Sequence, residues 1–99
     1  MSRRVKFHFF EAVDGGLASE VSSLLRDHPE INVNCTTSER RPPSEQWTAL
    51  HAASEFGHVE VVKLLLAHPN ISVNLKTNNG LTSLSVGCSF GRVSTVRLF

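Results

Sequence analysis

Hydrophobic and polar positions along this chain group into a recurring unit, and the middle of the sequence, WTALHAASEFGHVEVVKLLLAHPNISVN from Trp47 to Asn74, shows it most completely. Thr48 precedes a mostly apolar run, Ala49 to Phe56. A threonine there can cap a helix by accepting from a backbone N–H of the first turn. His51 stands where a capping box places its reciprocal partner. Gly57 ends that helix, because glycine takes the left-handed conformation without a Cβ penalty. A second helix is expected from about Val59 to Ala67, with Val61, Leu64 and Leu65 at i, i+3 and i+4 on one apolar face. His68 lies where a cation favours a helix C-terminus. Pro69 cannot continue the helix, so the chain is expected to leave in extended form through Ile71, Val73 and Asn74.

The unit recurs. HPEINVN at His28 to Asn34 returns as HPNISVN at His68 to Asn74, 40 positions on, and Trp47-Thr48 and Gly57 have counterparts at Leu81-Thr82 and Gly91, 34 positions on. A period in the thirties points to a solenoid whose units cannot bury their apolar faces alone. In such a fold, function lies on the surface.

The middle unit resembles the ankyrin repeat: TALH stands where that family has TPLH, followed by AA, GHVEVVKLLL and a VN ending. The resemblance implies an all-α ankyrin-repeat solenoid of stacked helix-turn-helix units with extended finger loops. One domain over residues 1–99 is expected: a first repeat over about 8–40 with a finger insertion running to 46, a second over about 47–79 and an incomplete third over about 80–99. FFEAVDGGLASEVSSLL, from Phe9 to Leu25, is similar to a polar-faced N-terminal capping repeat, without the TxxH cap. The third unit keeps Thr82, Leu84 and Gly91 but has Ser85 for the histidine and Gly87 inside the helix, where glycine costs about 1 kcal/mol relative to alanine. Val96, Leu98 and Phe99 are left without a following unit, which suggests further repeats in a longer parent or self-association.

The first finger is longer than the second. Asn74 lies eight residues before Thr82, whereas Asn34 lies 14 before Thr48, and the difference places Arg40, Arg41, Pro42 and Pro43 at its tip. A Pro-Pro pair favours an extended, projecting path. Two arginines there could engage a carboxylate or phosphate; equally, loops tolerate such insertions at small entropic cost.

In the ankyrin family the residues just before the helix-ending glycine and the one before the threonine vary and face partners. Carried over, these are Glu55 and Phe56, Ser89 and Phe90, with Trp47 and Leu81 before the threonines. Their aromatic content suggests a concave apolar stripe, since tryptophan and phenylalanine are frequent interface anchors; the alternative is that Phe56 and Phe90 are peripheral core. The resemblance also implies that Asn34 and Asn74 are possible hydroxylation sites, although asparagine favours turns by local hydrogen bonding alone.

Composition narrows the function. With 99 residues, 40% apolar and 19% charged, the chain is an ordinary small globular domain. A net charge of +1 supplies no broad field for nucleic acid or membrane. Cys35 and Cys88 show no CxxC spacing and read as free thiols in a reducing setting, so an intracellular location, cytoplasmic or nuclear, is expected. No apolar run reaches the roughly 18 residues of a membrane span, and His8 and Glu11 break the N-terminal run that a signal peptide would need. His28, His51, His58 and His68 have structural positions, and no HExxH occurs, so no metal is expected. Without GxSxG, GxxxxGK[ST] or GxGxxG, neither an enzyme nor a cofactor is expected. The basic clusters, Arg3, Arg4 and Lys6 on a solvated, disordered tail and Arg40-Arg41 on the finger, are short and rank nucleic acid or phosphate contact third. The leading expectation is a protein-interaction scaffold using its concave helix face and finger loops. Its rival is a segment of a larger ankyrin array with no partner of its own.

Overall fold

A computed structural model describes residues 3–37 and 45–99. Among these described residues six helices follow in chain order: α1 (Arg3–Asp14), α2 (Ala18–Asp27), α3 (Ala49–Phe56), α4 (Val59–Ala67), α5 (Ser83–Ser89) and α6 (Val93–Val96). Helices α1, α3 and α5 stack as one layer and α2, α4 and α6 as the second, with each odd helix packed on the even one after it. The result is an all-α stack of three helical hairpins.

Sequence explains the layering. Phe9 and Val13, four apart on α1, and Val61, Val62 and Leu65 on α4 are buried in the shared core, as the spacing of one helical face requires. The middle helix α3 is enclosed on both sides by α1 and α5, and its Ala49, Ala52 and Ala53 are small enough to let its neighbours approach. Gly87, costly to helix propensity, has a packing reason: a Cβ there would lie 3.2 Å from Cγ2 of Val96. It sets how closely α5 can lie on α6.

Three details differ from the sequence-based expectations. Arg3, Arg4 and Lys6, assigned to a solvated tail, form the first turns of α1. The segments after the second helices run as turns, not extended chain. Ile31 N–H donates to His28 O (3.0 Å) and Cys35 N–H to Asn32 O (3.0 Å), and Ile71 N–H donates to His68 O at 3.2 Å in the second unit. The apolar Ile31 and Val33 are thereby tucked into buried positions. His68, read as a cation against the helix end, uses Nδ1 as an acceptor from the Asn70 N–H at 3.1 Å.

One short antiparallel ladder closes the base of the first finger, β1 (Thr36–Thr37) against β2 (Trp47–Thr48), pairing Thr36 with Thr48 and Thr37 with Trp47. The expected fingertip residues Arg40, Arg41, Pro42 and Pro43 lie outside the described residues.

Both cysteines are free thiols, Cys35 half-buried and Cys88 exposed. Burial pushes the Cys35 thiol above its ordinary pKa, against smaller opposing effects of the Lys6 charge and a backbone hydrogen bond. Because the thiolate is the nucleophile, limited iodoacetamide at neutral pH is expected to label Cys88 first, with Cys35 following only as pH is raised further. Peptide mass mapping checks the order, and equal labelling at neutral pH would contradict the burial.

Candidate protein-interaction surface

The surface is organised by what locks one hairpin to the next, beginning with His51. Thr48 has extended backbone (φ −94°, ψ 173°), and the capping box is complete. The His51 N–H donates to Thr48 Oγ1 at 3.4 Å, while His51 Nδ1 accepts from the Thr48 N–H at 3.2 Å and lies 2.8 Å from the hydroxyl. Its Nε2 donates to the Leu81 carbonyl at 2.9 Å. A carbonyl only accepts, so the proton sits on Nε2 and leaves Nδ1 free to accept. The buried ring therefore caps its own helix and ties the second repeat to the third.

The same Leu81 carbonyl also accepts from the Thr77 N–H at 2.8 Å, closing the second finger as a tight turn in which Gly80 adopts φ 80°. Asn78 N–H reaches back to Glu45 O at 3.0 Å, which joins this finger to the base of the first.

Asn34 makes a second clasp. Its Nδ2 donates to Asn70 O and its Oδ1 accepts from the Ser72 N–H, both at 2.8 Å. One side-chain amide thus holds the backbone of the next finger through donor and acceptor together. Asn74, its counterpart, is exposed.

The opposite end of the helix layer carries three of the exposed large apolar groups. Gly57 adopts the left-handed conformation (φ 69°) and ends α3. A Cβ on it would meet Cδ of Arg92 at 2.9 Å, so the glycine also makes room for the arginine stem. Arg92 Nε donates to Glu55 O at 2.9 Å. Around this link lie Phe56, 45% exposed, Phe90, 51%, and Val93, 60%. The Phe56 ring leans on His58 at a centroid distance of 5.7 Å. Phe56, Gly57, Val59, Gly91, Arg92 and Val93 line an open groove of about 380 Å³, together with Ser94 and Thr95.

The site residues expected from sequence separate into two groups. Glu55, Phe56, Ser89 and Phe90 meet at the turn end of α3 and α5. Trp47 and Leu81 lie at the finger end, about 12 Å away along an eight-residue helix. Trp47 departs most from expectation: it is 6% exposed, with its ring 5.5 Å from that of His51. It is a packing residue of the finger base and not an open anchor of the stripe. Arg40 and Arg41 lie outside the described residues. Val93 and Arg92 were not singled out by the sequence, although their register with Val59 and His58, 34 residues earlier, marks them as the start of the third repeat's second helix.

Among the described residues no group of histidine, cysteine, aspartate and glutamate could hold a metal ion, and no helix is long and apolar enough to cross a membrane. The histidines are engaged structurally. His58 Nε2 donates to Asp14 O at 2.8 Å, His28 Nδ1 lies 3.1 Å from Glu30, and His8 pairs with Glu20 across α1 and α2.

Capped helical hairpins stacked in register, tied through histidine and asparagine to the backbone of the next unit, define a helical repeat solenoid, a class whose surfaces serve recognition. The chain belongs to the ankyrin-repeat family: the model for ankyrin repeats, in three copies, matches residues 9–99. A probable E3 ubiquitin-protein ligase, XBOS32, of Oryza sativa subsp. japonica is 35% identical over 91 residues, covering 89% of this chain and 17% of that protein. Rabankyrin-5 of Homo sapiens is 32% identical over 79 residues, covering 80% of this chain and 6% of its own length. The chain thus spans less than a fifth of these relatives. A chain in the solved structure of the Bd0816 predatory endopeptidase from Bdellovibrio bacteriovorus in complex with immunity protein Bd3460 superposes with a TM-score of 0.76 at 23% identity, covering 92% of this chain and 43% of that one. That likeness concerns the fold alone. Ankyrin repeats bind protein partners and are typically not enzymes.

Proposed function

We propose that this chain binds a protein partner through the turn end of its first helix layer, where Phe56 and Phe90 form an exposed pair flanked by Glu55 and Ser89. The observation that carries the reading is the exposure of these two phenylalanines, 45% and 51%, in matching positions of adjacent repeats. Large apolar side chains grouped on a surface mark interaction sites more often than scattered ones do. Leu81 extends the surface toward the fingers in this reading, and Trp47 supports it from beneath.

A partner recovered with the parent chain supplies the test. Replacing Phe56 and Phe90 together with alanine is expected to weaken binding by about 2 kcal/mol or more, roughly thirtyfold, with the melting temperature nearly unchanged because both rings are exposed. Calorimetric titration showing unaltered affinity would exclude the stripe. Trp47 is a poor probe, because truncating a buried ring confounds folding with binding.

A second reading is that the stack continues over the outer face of α5, with these residues serving as part of a larger array. It is favoured by one comparison: Leu50 and Ser54 on α3 are buried under the third repeat, while their counterparts Leu84, 41% exposed, and Cys88 are open. Fusing a further ankyrin hairpin after Phe99 would then raise the melting temperature; an unchanged value would count against it.

A further inference from the structure

The groove beside Phe56 has a chemistry that narrows what it can hold. Its apolar walls are Phe56, Val59 and Val93, and its lining contains a single charged side chain, Arg92, and no carboxylate. Arg92 is held in place: its stem crosses Gly57, and Nε is committed to the Glu55 carbonyl at 2.9 Å. That bond uses one edge of the guanidinium and leaves the two terminal nitrogens, which make no ion pair among the described residues. Arginine donors fixed in a planar fork suit a carboxylate or phosphate. Thr95 completes the lining; it is buried and its hydroxyl has no hydrogen-bond partner among the described residues.

A second depression among the described residues differs. It lies between α2 and α4, contains both Arg26 and Glu60, and is otherwise lined by Ala18, Ser19, Ser22, Ser23 and Leu64. With both charge signs present, it selects no ligand charge.

Resting on the proposed turn-end surface, we infer that the groove takes a short segment of a partner protein in which an aliphatic or aromatic side chain stands beside a carboxylate. The apolar side chain enters between Phe56 and Val93, and the carboxylate receives hydrogen bonds from the terminal nitrogens of Arg92. The only charged side chain in the lining is a cation, Arg92, beside the neutral hydroxyls of Ser94 and Thr95 and the apolar walls, which favours an acidic segment over a basic one. The size agrees with one or two side chains, since about 380 Å³ lies at the small end of ligand pockets.

The test uses the 99-residue chain, labelled with nitrogen-15 and titrated with three blocked short peptides identical except at the residue before a central Leu-Phe pair, which is Glu, Gln or Lys. The Glu peptide is expected to move the backbone amides of Gly57, Gly91 and Val93 saturably. The Gln peptide should bind up to about fivefold more weakly, the scale of one solvent-exposed charge pair, and the Lys peptide more weakly still. Arg92→Gln should remove the difference between the Glu and Gln peptides, whereas Val93→Ser should weaken all three alike. Spectra of both variants away from the groove report whether the fold is intact. Equal binding of the three peptides, or a Glu preference that survives Arg92→Gln, would overturn the carboxylate assignment and leave the Phe56 and Phe90 stripe standing. Absence of shifts at the groove amides with every peptide would overturn the groove itself, while loss of partner binding on replacing Phe56 and Phe90 remains the separate measure of the stripe.

Discussion

Replacing His51 with alanine is expected to lower stability by about 3 kcal/mol and the melting temperature by roughly 15 °C. Three losses combine. The fully buried ring leaves a cavity beside Trp47, Leu81 O loses the Nε2 donor at 2.9 Å, and the buried Thr48 N–H loses its acceptor at 3.2 Å. Small domains hold only about 5–15 kcal/mol in total, so such a loss is a large part of it. The third repeat supplies a comparison. There Ser85 Oγ accepts from the Thr82 N–H at 2.8 Å and completes the capping box, and its short hydroxyl stays within that turn, bonded to Thr82 alone among the described residues. His51→Ser should therefore recover about 1 kcal/mol of local capping relative to His51→Ala while still lacking the link to Leu81. Thermal unfolding followed by circular dichroism measures all three proteins. A melting point within a few degrees of the parent for His51→Ala, or identical values for the two variants, would remove the double role assigned to the ring.

The contrast between His51 and Ser85 also shows which parts of the fold were legible. Caps are local: Thr48 with His51 and the left-handed Gly57 depend on residues a few positions apart, and their spacing identified them, whereas Ser85 read in the sequence only as the loss of the histidine and proves to complete the Thr82 cap. The reach of His51 to Leu81 O, 30 residues on, and of Asn34 to Asn70 and Ser72 depends on how hairpins stack. Only the repeat period hinted at either. The period likewise put Phe56 and Phe90 in register, but it could not assign exposure, because a residue before a helix-ending glycine can turn toward solvent or toward the neighbouring hairpin. Trp47 shows the other outcome. The same positional reasoning placed it in an open stripe, yet pairing of its strand with Thr37 and packing of its ring on His51 draw it inside. The groove was hidden for a related reason: Val93 and Arg92 are ordinary in sequence, and become notable only when the turn of the second repeat meets the start of α6.

Gly16→Ala is expected to cost about 2–3 kcal/mol, although Gly15-Gly16 reads in the sequence only as a turn. The two glycines are not equivalent. Gly16 adopts φ 69°, and a Cβ there would fall 2.6 Å from Nδ1 and 2.8 Å from Cε1 of His58. A Cβ on Gly15 would make no contact closer than 3.4 Å, so Gly15→Ala is the control and should change stability little. The bare backbone of Gly16 lets the His58 ring lie against the α1–α2 turn, where Nε2 donates to Asp14 O at 2.8 Å and joins the first repeat to the second. An added methyl must displace the ring and break that bond, in addition to straining a left-handed residue by about 1 kcal/mol. These contributions separate in a double-mutant cycle. In a His58→Ala background the ring is already gone, and Gly16→Ala should then cost only the backbone strain. Denaturant unfolding of the four proteins decides the matter: an equal cost of Gly16→Ala in both backgrounds would mean that His58 is not held by this turn, and that the glycine serves the backbone alone.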